Sequence, residues 1–354
     1  MNKNNNEIIL HGVPKVHYGA FGGITPFPVC LKAVSDYLGD EIDYMFAIVA
    51  CGGAFRFAWN TTDWDGGNVD ISHTYDNSEL PYCYGVTALG RDFKMLWREG
   101  NGMGQPGNAT KDDFKAFIKE QIDKGFPLIS LGPVGPPEAG IIAGYRDGGD
   151  TLLGWSFFQW DEKTFNEEGY FIENKWFEAP DFFGVMSLGE ISAPRIEIKQ
   201  IIENGISALE GRQEDKHAKG VAAYDAWKNA LLNAKESDFT IMPEWGQSIA
   251  MMCQGDATDA LIDGRKNAHL FFKKLSEETP KQQLYSKIAE QFGIIATVIH
   301  TKIYSILGGY ERGFEQEKAL AQHETRRQIV EYVDELKVAD ENALALMKEL
   351  LAVM

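Results

Sequence analysis

The run from Phe126 to Trp155 limits the fold of this chain more than any other stretch. It holds an apolar segment, Phe126-Pro127-Leu128-Ile129-Ser130-Leu131-Gly132. Next comes Pro136-Pro137-Glu138-Ala139-Gly140-Ile141-Ile142-Ala143-Gly144-Tyr145, then Thr151-Leu152-Leu153-Gly154-Trp155. Gly/Pro clusters and an Asp-Gly-Gly turn separate these pieces. Short apolar runs bounded in this way predict three consecutive strands. Small residues on the middle strand let another backbone or a ligand come close, so one wall of a site is expected there.

The flanks add helices. Apolar residues at 27, 30, 31, 34, 37 and 38 fit an amphipathic helix. Pro26 and Pro28 suit its first turn and Gly39 its C-terminal cap. Thr110 with Asp112 and Asp113 marks the start of another helix, running to about Lys124. Tyr84 to Gly100 reads as a helix and then a strand, and 174–178 and 184–188 as further strand pieces. The first part is therefore an α+β arrangement with an antiparallel meander. Beyond Pro194, Ala, Leu, Lys and Glu dominate at helical spacing, which predicts helices near 196–208, 213–235, 244–276, 281–308 and 311–352. Two domains are expected, 1–192 and an all-α domain over 193–354.

The chain has 354 residues and a formal net charge of −18. That charge argues against a nucleic-acid partner, since phosphate demands a basic patch, and against docking on an anionic membrane. The apolar run Phe292 to Leu307 is broken by His300 and Lys302 and is too short to span a bilayer. Met1 to Glu7 is polar, without the apolar core of a signal peptide, so a cytoplasmic protein is expected. Cys30, Cys51, Cys83 and Cys253 show no metal-ligand spacing and are expected to be reduced thiols. No cofactor and no metal are expected. Asp63 to Asp70 has the oxygen-rich look of a calcium loop, but Gly67 falls where a ligand belongs and Asn68 where the glycine belongs. It reads as a turn.

Cys30 admits two readings. It sits near the start of a helix, where free N–H groups and aligned dipoles favour a thiolate. It also lies on the apolar face, where a cysteine packs as a small hydrophobe. His73 with Asp76 reads as a surface polar pair, and Arg265, His269, His300 and His323 fall on predicted helices.

A cysteine near the start of the first helix, followed much later by a strand ending in Gly144-Tyr145, resembles papain-like cysteine peptidases. More narrowly it resembles the N-terminal-domain family of the butirosin-biosynthesis acyltransferase and the C39-peptidase-like proteins. Ala223-Tyr224-Asp225-Ala226-Trp227 is similar to the helical extension such proteins carry. The resemblance implies a papain-like fold with Cys30 as nucleophile. It places Glu138, six residues before Gly144, where the family has its histidine. The orienting residue would fall near Trp155 or Ser156, and the oxyanion glutamine at Ile24.

That chemistry needs an imidazole to take the thiol proton. Glu138 can act as a base but cannot form the ion pair that stabilises a thiolate, and its charge would raise the thiol pKa. His17 or His73 would restore the site if the fold delivered either to Cys30. Two functions follow. The first is a cysteine hydrolase or acyltransferase acting on an amide or thioester through a degenerate site of Cys30 and Glu138. The alternative is an inactive relative that binds a small molecule or peptide in an interdomain cleft, with Tyr145, Trp155 and Phe158 as binding residues. A weaker third reading is a subunit that presents its helices to a partner protein.

Overall fold

A computed structural model describes residues 7–100, 103, 105–160, 165–279 and 283–354. The Asn run at the start and the first two residues of the helix expected at 281–308 lie outside them. The chain forms two compact units. The first joins Met1–Cys51 with Asn77–Ile196, and the second joins Gly52–Asp76 with Glu197–Met354. The expected division at 192/193 put residues 52–76 with the first domain. Their contacts put them with the second.

In chain order, β1 (Ile8–Ile9) leads to α1 (Pro26–Leu38) and α2 (Tyr44–Ala50). The strand β2 (Ala58–Asn60) belongs to the second unit. The chain then returns for α3 (Leu80–Thr87), β3 (Arg91–Trp97), α4 (Lys111–Asp123), β4 (Leu128–Leu131), β5 (Ala139–Arg146), β6 (Thr151–Trp155), β7 (Phe171–Glu173) and β8 (Gly184–Ile191). The three strands expected from Phe126 to Trp155 are β4, β5 and β6. Residues 174–178, expected as a strand, form a turn after β7.

The first unit is built on one antiparallel sheet in the order β3-β8-β4-β5-β6-β7. β4 borders β5 from Ala139 to Ile142, and β1 pairs beyond it at Gly144 and Tyr145. A Cβ at Gly144 would lie 2.6 Å from the Ile8 carbonyl oxygen, so only glycine admits β1 there. Nearly all of β5 is buried, as a strand covered on both faces must be. Both α1 and α4 pack on it. Phe114, Phe117, Ile118 and Ile122 of α4 meet Leu128, Ile142, Tyr145, Leu152 and Val185 in one core. The Thr110–Asp113 capping box closes the start of α4. Gly39 ends α1 at φ 79°, a left-handed conformation that costs glycine nothing. Arg91 is buried with Asp40, which accepts from Nε at 2.6 Å and Nη2 at 3.2 Å.

The second unit continues with α5 (Ile198–Leu209), β9 (Arg212–Glu214), β10 (His217–Lys219) and α6 (Ala223–Asn233). Then follow β11 (Ile241–Met242), β12 (Gln247–Ser248), α7 (Ile249–Glu278) and α8 (Gln283–Val298). A π-helical turn at Ile299–Ile303 leads into α9 (Tyr304–Leu307), α10 (Phe314–Leu320) and α11 (His323–Val353). This corrects the all-α expectation. The helix expected over 213–235 begins only at Ala223. Before it, β9 and β10 form a hairpin whose two-residue turn has Asp215 at φ 47°. β10 then pairs with β2, 157 residues away at Asn60↔His217, a contact that no local pattern announces.

Arg265 of α7 organises this unit. Its guanidinium is fully buried and donates to Asp340 of α11 at 2.6 and 2.9 Å. It also donates to the carbonyls of Ala54 at 2.8 Å and Arg56 at 3.1 Å. Tyr224 of α6 donates to Asp340 at 2.7 Å. Burial holds the Tyr224 hydroxyl well above its ordinary pKa, and the Asp340 charge adds to it. The two backbone bonds hold residues 54–56 in the second unit.

Candidate functional site

The structure brings Cys30 and Glu138 together electrostatically. Cys30 is the fifth residue of α1, one turn past its start, on the face that carries Phe27, Leu31 and Val34. At that depth the helix-end effect has largely faded. The sulfur has no exposure to solvent. Burial pushes the thiol well above its ordinary pKa, and the charge of the half-buried Glu138 pushes it further. Both causes favour the protonated thiol, the form that is neither nucleophile nor metal ligand. The helix-start reading expected the opposite direction. The sulfur lies one turn past the helix start and is sealed from solvent, so burial outweighs the helix end.

Neither proposed histidine is bonded to the sulfur. His17 is exposed, and its Nδ1–H donates to the Tyr18 carbonyl at 2.9 Å. His73 lies in the second unit, stacked on His217 with ring centroids 4.2 Å apart. Among the described residues no histidine forms a hydrogen bond to Cys30. Ile24, and Trp155 and Ser156, at the other positions expected from the resemblance, supply no side-chain amide or carboxylate. The Ser156 hydroxyl donates to the Val134 carbonyl at 2.9 Å and accepts from the Phe158 N–H at 3.0 Å.

The three binding residues expected from sequence have different surroundings. Tyr145 is buried, and its hydroxyl donates to Asp123 of α4 at 2.8 Å. Burial and then that bond push the phenol up to about 12. Trp155 is buried too; its Nε1–H donates to the Val13 carbonyl at 2.9 Å and its ring meets Tyr170 edge-on at 4.7 Å. Phe158 is half-buried and belongs to a surface ladder of rings. Tyr18 lies 6.2 Å from Phe158 and 5.0 Å from Phe157, and Phe158 lies 6.3 Å from Trp160. Tyr18 is 49% exposed and Trp160 77%. The 132–137 loop, which leads into Glu138, packs on Phe158 through Gly135.

The sequence reading missed Tyr18 as a partner of Phe158. The signal was there: aromatic residues at 157, 158 and 160 directly after a strand, with Tyr18 in a glycine-flanked loop. No protein-family model matches this chain, and no curated protein is significantly similar to it.

Proposed function

We infer that this chain is a papain-like-fold protein without cysteine nucleophilic chemistry, and that it binds a small molecule or peptide non-covalently. One observation carries this reading. The sulfur at the nucleophile position is sealed from solvent, and the charged group acting on it is a carboxylate. A carboxylate can remove a proton, but it opposes the thiolate that acyl transfer requires. The Tyr18–Phe158–Trp160 ladder supports the binding role. Exposed rings beside a strand end offer flat apolar area with little conformational entropy to lose on binding. The acidic total suits a neutral or cationic ligand.

Site-resolved iodoacetamide labelling of the native protein tests this reading. Cys83, half-buried and with its thiol also raised by burial, serves as the internal reference. Cys30 is expected to label far more slowly than Cys83 at every pH below denaturation. Faster labelling of Cys30 at neutral pH would return the chain to the cysteine hydrolases and acyltransferases.

A further inference from the structure

The second unit contains a cavity of about 340 Å³. Its walls are the chain after β2, the end of α6, the turn at Glu236–Phe239 and Ile249 at the start of α7. The volume lies at the small end of the range of about 300–1,000 Å³ usual for small-molecule sites. The lining departs from the usual pattern. Trp64, Ala230 and Ile249 are its apolar residues, and the other eight are polar or charged.

The polar groups divide into two sets. One set braces the walls. Asn60 Oδ1 accepts from the Thr62 N–H and hydroxyl, both at 3.0 Å, and from the Asp63 N–H at 3.1 Å. Asp238 Oδ2 accepts from Trp64 Nε1 at 3.1 Å and from the Lys235 N–H at 2.8 Å. Asn233 Nδ2 donates to the Asn229 carbonyl at 2.8 Å. The other set has no bond within the protein among the described residues: the Asn229 side-chain amide, Asn233 Oδ1, Asp63 Oδ1 and the Lys235 ammonium.

We propose that this cavity binds a neutral polyhydroxylated molecule of monosaccharide size. Each hydroxyl of such a ligand is both donor and acceptor, and the unoccupied set supplies both roles. Asn229 offers donor and acceptor together, Asn233 and Asp63 accept, and Lys235 donates. Asp63 and Lys235 carry opposite charges, so a ligand that meets both need carry no net charge. Asn233 is held through its Nδ2 bond and Asp63 through the Thr62 hydroxyl, which limits the ordering cost of those two, while Asn229 and Lys235 are exposed and are ordered on binding. This site is independent of the Cys30 reading, and either can fail without the other.

The test uses the full chain titrated with glucose, galactose, mannitol and myo-inositol. Calorimetry measures binding, and the Trp64 indole N–H resonance locates it. Saturable binding that shifts the Trp64 resonance is expected. Asn229→Ala and Lys235→Met, both at exposed positions, should each weaken it about threefold to tenfold. The proposal is overturned if no polyol binds saturably, or if binding survives both substitutions. Tighter binding of glucuronate, glucosamine or glycine than of every neutral polyol would also overturn it.

Discussion

Cys30 and Arg265 are both sealed from solvent, yet their surroundings oppose each other. Arg265 is charged, and its guanidinium meets a carboxylate and two carbonyls that satisfy it. Cys30 is packed among apolar side chains of α1, and the one charge acting on it has the wrong sign for a thiolate. A buried ionisable group keeps its charge only where the protein supplies partners. The second unit supplies them for structure. The first unit withholds them from the residue that would need them for catalysis.

The largest expected effect comes from removing one side of the satisfied network. Asp340→Ala leaves the Arg265 guanidinium buried without its counter-charge and should cost about 3–5 kcal/mol in denaturant unfolding. The double change Arg265→Met with Asp340→Leu should recover part of that loss, because no charge is then left buried, although the Tyr224 hydroxyl and the Ala54 and Arg56 carbonyls lose these partners. If the single variant is as stable as the wild type, the contrast between the two regions collapses. Next comes Cys30→Ser, which buries a hydroxyl among groups suited to a thiol. A loss of about 1–3 kcal/mol is expected if the hydroxyl finds no partner. A neutral result would reveal a polar partner at Cys30 and so undercut the apolar description of that site.

Thr110→Ala calibrates both against an exposed bond network. It removes one side of the capping box at α4 and should cost about 1 kcal/mol. The smallest effect is a slope. Burial depresses the His73 pKa, Asp70 and Asp65 oppose the shift, and His217 and Lys219 reinforce it. Folded His73 therefore binds a proton less readily than unfolded His73, whose pKa is about 6.5. Its contribution is complete above that pH and is lost as the pH falls below it. His73→Gln should flatten the fall in unfolding free energy between neutral and mildly acidic pH. An unchanged slope would locate the pH dependence elsewhere.

The legible parts of this chain were local. α1 was readable because its apolar spacing, prolines and Gly39 all act within one helix. β4, β5 and β6 were readable because turns bound each apolar run. The charge relation of Glu138 to Cys30 was legible only through the family resemblance, which placed Glu138 at the histidine position just before β5. What escaped was decided by distant partners. Residues 212–219 carry helix-compatible side chains, but β2 offers β10 a strand edge that no window of sequence reveals. Tyr145 and Trp155 looked available for a ligand because their partners, Asp123 and the Val13 carbonyl, are set by the fold. The ring ladder depends on Tyr18, far from Phe158 in sequence, and the polar cavity on three separate chain segments.

The Arg265 bonds to Ala54 and Arg56 have a consequence for how this chain comes off the ribosome. Ala54 precedes Arg265 by 211 residues. At about 5–20 residues per second, that separation corresponds to a wait of about 10–40 s. During that interval residues 52–76 have left the exit tunnel without their permanent neighbours, while α4 and the strands from β4 to β8 are emerging after them. The nascent chain must carry an early, aromatic-rich segment past the synthesis of a whole sheet and keep it out of that sheet. Codon usage, chaperone contact and yield on expression should therefore be most sensitive in the stretch between Asn77 and Arg265.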